Sequence, residues 1–185
     1  LDDNIQAWFG SGNDLRIYHD GSNSYITQTG TGHLQIRQTQ DDKDIKFECD
    51  DGSGGTTTYL TLDGSAGYTT VQKQIRFDDS VPAKFGTGND LHIFHDGTDS
   101  LVDNYTGDLY FRQTADDKDI IFQSDDGSGG LATYLKIDGS SSEVQFFANL
   151  LVADNIKANF GNSGDLSIYH DGSNSFIKDT GTGDL

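Results

Sequence analysis

Apolar and polar residues alternate along this chain in short bursts. Leu15, Ile17 and His19 take one set of positions, and Arg16, Tyr18 and Asp20 take the other. A period of two marks a strand with one covered face. Asp20-Gly21-Ser22-Asn23 then predicts a turn, and Tyr25-Ile26-Thr27 a return strand. Thr29-Gly30-Thr31-Gly32 predicts a further turn, after which Leu34 and Ile36 share one face of another strand. Asp41-Asp42-Lys43-Asp44 turns into Ile45 and Phe47, and the loop from Asp50 to Gly55 leads to Tyr59-Leu60-Thr61-Leu62. Turn signals recur about every 8–12 residues, which predicts an all-β chain. Gln145 to Asp154 is apolar enough for a helix. Its counterpart contains Val81-Pro82, and a residue before proline avoids the α conformation, so both stretches are expected as extended connectors.

The bursts repeat. Asn13-Asp14-Leu15-Arg16-Ile17-Tyr18-His19-Asp20-Gly21-Ser22-Asn23-Ser24 returns at Asn89–Ser100 and again, with glycine in the first position, at Gly164–Ser175. His19 and His95 lie 76 residues apart, and His95 and His170 lie 75 apart. A second block, from Arg37-Gln38-Thr39 through Asp50-Asp51-Gly52-Ser53-Gly54-Gly55, returns at Arg112–Gly130 with an offset of 75. One residue is therefore missing from the second repeat between Val102 and Gly107, in a turn, where loops tolerate such changes. The expected organisation is repeat 1 over 1–79, repeat 2 over 80–154 and part of repeat 3 over 155–185.

Composition sharpens this. The chain carries 30 Asp+Glu against 12 Lys+Arg, a net charge of −18, and only Glu48 and Glu143 are glutamates. Aspartate suits turns, whereas glutamate suits helices. So acidic a chain is expected to bind no nucleic acid, where cations must displace counterions. No apolar run approaches the length of a membrane helix, so no membrane insertion is expected. The lone Cys49 excludes an intrachain disulfide and a cysteine-based zinc site. A start at Leu1 with no methionine anywhere predicts a segment of a longer protein, with further repeats beyond it.

Each repeat supplies few large apolar residues, so one unit buries little alone, and repeat proteins gain stability from their neighbours. The expected architecture is an elongated all-β fibre with a period of about 75 residues, intertwined as a homotrimer. A single-chain β-solenoid or an array of sandwiches is the alternative.

The block Asp14–Ser24, followed by Thr29-Gly30-Thr31-Gly32-His33-Leu34, resembles repeats in tail-fibre-like proteins of marine and cyanobacterial phages. Val152–Gly161 is similar to the linker between such repeats. The resemblance covers nearly the whole chain. It implies a virion or extracellular location and other fibre or tail proteins as partners. It carries over no receptor and no catalytic residue.

The candidate chemistry is modest. His19, His95 and His170 share a strand face with the core-forming leucines and isoleucines, so three copies of a trimer would bring them toward an axis, where imidazoles suit a transition metal. A histidine bonded across its own turn explains the same pattern. Asp41, Asp42, Asp44, Asp50 and Asp51, with Asp116, Asp117, Asp119, Asp125 and Asp126, gather the hard oxygens that calcium takes, but plain turn chemistry also uses them. No cofactor is required on this reading. Tyr18, Phe94 and Tyr169 face away from the histidines and are candidates for stacking on sugars, or for packing between chains. Ser22 and Ser24 beside His-Asp invite a hydrolase reading, yet the trio recurs in three turns without a nucleophile elbow, so no enzyme is expected. The functions to weigh are therefore a fibre shaft that positions a host-recognition tip, a multivalent module for host surface polysaccharide, and a subunit of a non-viral extracellular filament.

Overall fold

A computed structural model describes residues 1–182, in two units, Leu1–Tyr105 and one from Thr106 onward. Every regular element among the described residues is a β-strand.

The first unit holds three antiparallel meanders of three strands each. β1 (Ala7–Phe9), β2 (Leu15–His19) and β3 (Ser24–Gln28) form the first. β4 (Ile45–Asp50), β5 (Thr56–Asp63) and β6 (Tyr68–Val71) form the second, and β7 (Ala83–Phe85), β8 (Leu91–His95) and β9 (Ser100–Asn104) the third. The second unit holds two: β10 (Ile120–Asp125), β11 (Leu131–Asp138) and β12 (Glu143–Phe146), then β13 (Ala158–Phe160), β14 (Leu166–His170) and β15 (Ser175–Asp179).

Register follows the alternation. Ile17 faces Ile26 and Tyr18 faces Tyr25, as Ile168 faces Ile177 and Tyr169 faces Phe176. Neighbouring residues on a strand point to opposite faces. Ala7, Phe9, Leu15, Ile17 and Ile26 therefore line one face of the first sheet, with Trp8, Arg16, Tyr18, Tyr25 and Thr27 on the other. In the second sheet Ile45, Phe47, Leu60, Leu62 and Val71 line one face, and Lys46, Thr61 and Thr70 the other. A bulge after Phe47, matched after Phe122, ends the apolar alternation of β4 and β10.

Among the described residues of each unit, no sheet packs its apolar face on another sheet. Ile17 remains 43% exposed and Phe47 47%, and no hydrophobic residue among those described is buried. The residues that are buried are polar: Thr61, Asp138 and Ser167.

Three expectations are corrected. Leu34 and Ile36 lie in no strand. The turn before β4 does not close a hairpin onto it. Instead Asp44 Oδ1 accepts from the Gly64 N–H at 3.1 Å and the Lys43 carbonyl lies against the Gly64 Cα, so the turn docks at the end of β5. A strand without a partner leaves its backbone groups unpaired, and residues 33–39 find none among the described residues. Second, β1 and β6 were not anticipated, because strands of three and four residues show too little periodicity. Third, the face shared by Leu15, Ile17 and His19 is not an interior within one chain. The connectors around Pro82 and Leu150 contain no helix, as expected.

Candidate functional site

The recurrent Tyr/Phe-His-Asp-Gly turn is built in the same way three times. Asp20 Oδ1 accepts from the backbone N–H groups of Ser22 at 2.9 Å and Asn23 at 2.8 Å. Asp96 does this with Thr98 and Asp99, and Asp171 with Ser173 and Asn174. An aspartate that bonds its backbone two residues on fixes a tight turn. The Asn23 N–H, then the Ser22 N–H and the Tyr25 hydroxyl, hold the Asp20 carboxyl below its ordinary pKa, and Asp20 in return holds the Tyr25 phenol above its own. The N–H groups of Asp99 and Asn174, first among their causes, lower Asp96 and Asp171.

The histidine at the end of each strand meets a serine across the turn. His19 Nδ1 lies 3.1 Å from Ser24 Oγ, His95 Nδ1 3.4 Å from Ser100 Oγ, and His170 Nδ1 3.1 Å from Ser175 Oγ. Each histidine's carbonyl also accepts a backbone N–H from the turn preceding its sheet: Asn4, Ser80 or Asn155, all at positive φ near 65°. Asp20 spends its carboxylate on the turn and on Tyr25 Oη, not on the imidazole. The serine thus meets the imidazole while the Asp20 carboxylate holds the turn.

The aromatic candidates are half-buried in ring pairs. Tyr18 stacks on Tyr25 with centroids 4.8 Å apart, and Tyr169 stacks on Phe176 at the same separation. Phe94 pairs across the strands with Leu101 instead. The ammonium of Lys157 sits 5.0 Å from the Tyr169 ring.

The aspartate loops close on themselves. Asp51 Oδ1 accepts from the Ser53 N–H and hydroxyl and from the Gly55 N–H, and Asp126 does the same with Ser128 and Gly130. The serine hydroxyl is the leading cause that lowers both carboxyls. Asp50 and Asp125 accept from Gly52 and Gly127. Asp44 and Asp119 bond Gly64 and Gly139, while Asp42 and Asp117 adopt positive φ within the turn. Asp41 and Asp116 are exposed. Among the described residues of one chain, no three His, Cys, Asp or Glu side chains gather as a metal site.

Sequence reasoning missed two features. Lys136 Nζ stands 2.6 Å from Asp138 Oδ2 and 3.5 Å from Asp119 Oδ2, with Asp138 buried. Only the change of a threonine at position 61 to a lysine at 136 signalled it. The other is the position shared by Arg16, His92 and Ser167. Arg16 Nε and His92 Nε2 are buried without a hydrogen-bond partner, whereas the Ser167 hydroxyl donates to Asn159 Oδ1 at 2.8 Å. Three unlike residue types hid it.

Comparison with known proteins finds no match to a family model, a curated protein or a solved structure.

Proposed function

We propose that this chain is a shaft segment of a self-assembling extracellular fibre, a phage tail fibre in the reading that its repeats favour. Three copies intertwine, the repeats recur about every 75 residues, and the assembly positions a host-recognition tip contributed by other fibre or tail proteins. The observation that carries this reading is the absence of any buried hydrophobic residue among those described, although every sheet presents an apolar face. Such a chain gains its core only from other copies, because apolar faces of this extent seldom stay in water. Two sheet designs that recur along the chain, joined by acidic turns, suit a uniform spacer that must remain soluble.

Light scattering on the full chain tests this. A mass near three times 20.1 kDa is expected, and a compact monomer overturns it. Open-ended growth would instead favour the non-viral filament. Loss of the trimer in EDTA would identify the histidines or aspartates as interchain metal ligands.

One observation favours a second reading, a polysaccharide-binding module. Tyr68 is 62% exposed and borders an open cavity of about 310 Å³ with Gln38, Lys43, Asp63 and Thr69. An aromatic ring beside polar side chains suits a sugar. The counterpart of Tyr68 is Glu143, so this would be a single site and not a repeated one. Selective binding on a glycan array, abolished by Tyr68→Ala, would support it.

A further inference from the structure

Two stretches of the chain alternate like strands but join no sheet. In residues 33–39, Arg37 Nη2 donates to Gln35 Oε1. In residues 108–114, the Tyr110 hydroxyl donates to Asp108 Oδ2 at 3.3 Å and the Arg112 guanidinium lies 4.5 Å over the Tyr110 ring. Contacts between residues two apart place both side chains on one side, as an extended strand does. Leu34 and Ile36, with Leu109 and Phe111, fall on the opposite side, 46%, 62%, 44% and 67% exposed. Neither stretch makes a backbone–backbone hydrogen bond to any described residue.

We propose that residues 33–39 and 108–114 are strands completed in trans, hydrogen-bonded to the backbone of a second copy of this chain, with Leu34, Ile36, Leu109 and Phe111 laid on that copy's apolar sheet faces. This rests on the self-assembling reading above and names the surface through which assembly occurs. Two further observations select another copy as the occupant. Among the described residues the outer strands β1, β3, β4, β6, β10 and β12 each pair with a single strand, which leaves an edge that can accept an added one. Charge agrees as well. Copies carrying −18 repel one another, yet residues 33–40 contain no acid and one arginine, and 108–114 balance Asp108 with Arg112. These are the places where identical acidic chains approach at least cost.

Hydrogen–deuterium exchange on the full chain, at a concentration where its mass is known, tests this. Amides of 34–38 and 109–113 are expected to exchange at least tenfold more slowly than an unstructured peptide, and to lose that protection on dilution to monomer. An oligomer whose two stretches exchange at the unstructured rate overturns this proposal and leaves the fibre reading standing. A monomer with both stretches unprotected overturns both. Protection in a monomer also overturns the proposal, since it means pairing within one chain. As a second readout, Ile36→Asn with Phe111→Asn is expected to raise the concentration of half-dissociation at least tenfold, while Gln35→Asn stays within twofold. Equal effects overturn the assignment of the two sides.

Discussion

Lys136 donates to Asp138 across 2.6 Å, and this lysine occupies the strand opposite the one that carries its counterpart in the first repeat. In β4 and β5 the cross-strand pair is Lys46 and Thr61, and in β10 and β11 it is Ile121 and Lys136. The cation has changed strands within one pair and still lies near the same acids. Lys46 approaches Asp44 at 3.6 Å, and Lys136 approaches Asp119 at 3.5 Å. An acidic sheet keeps one positive charge at this point, and the geometry of a directly opposed pair allows either strand to supply it.

The pair sets a pH dependence. Lys136, then the Ser140 hydroxyl and the Ser141 N–H, hold the Asp138 carboxyl far below its ordinary 3.8. A depressed carboxyl contributes stability above its unfolded pKa, and the contribution is lost as pH falls toward the folded value. Asp138→Asn should therefore lower the melting temperature at pH 7. The gap to the unsubstituted chain should shrink below about pH 3.8. A gap constant down to pH 2 would mean that the charge is not the cause.

The Asp20 turn gives a spectroscopic prediction. Asp20 holds the Tyr25 phenol above 10.0 through their 2.9 Å hydrogen bond. Asp20→Ala should return one tyrosine toward the ordinary value in an ultraviolet titration and speed amide exchange at Asn23. An unchanged titration would show that the bond does not persist in solution.

Gly64 and Gly139 face the carbonyls of Lys43 and Lys118 so closely that a Cβ would collide with them. Neither carbonyl can withdraw without undocking its turn. Gly64→Ala and Gly139→Ala should each cost about 1–3 kcal/mol in a denaturant melt. A neutral result would mean that the turns do not rest on the end of β5 and β11.

The apolar faces separate a lone chain from an assembly. Ile17 and Phe47 are exposed in one chain, so Ile17→Asp and Phe47→Asp should change a monomer by only about 0.5 kcal/mol. If three copies share a core, each should cost about 2 kcal/mol or more and shift the mass toward monomer. Melting and light scattering on the same samples would show which holds.

Calcium should leave the melting temperature unmoved. The inner oxygens of Asp50, Asp51, Asp125 and Asp126 already accept from their own loops. A rise over millimolar calcium would overturn this and make the loops ligands.

Much of this was legible in the residues. Leu15-Arg16-Ile17-Tyr18-His19 reads as a strand because its alternation matches the pleat, and Asp20-Gly21 reads as a turn because aspartate bonds its own backbone. The His–Ser meeting was less so, since it depends on Ser24 lying directly opposite His19 in the register. The Lys136 cluster was not visible, because Asp119, Lys136 and Asp138 come together only after two strands pair.

By itself the sequence determined the local structure: where strands begin, where aspartate and glycine turn the chain, and that one unit is built again and again. These are decided by contacts among near neighbours. Tertiary structure decided the rest. Leu34-Gln35-Ile36 alternates as well as any strand here, yet it joins no sheet, because a strand exists only when another backbone accepts its hydrogen bonds, and Gly64 holds the preceding turn of β4 away from that role. The face carrying Ile17 reads as a core but lies open in the folded chain, because alternation says which side is apolar and not what covers it.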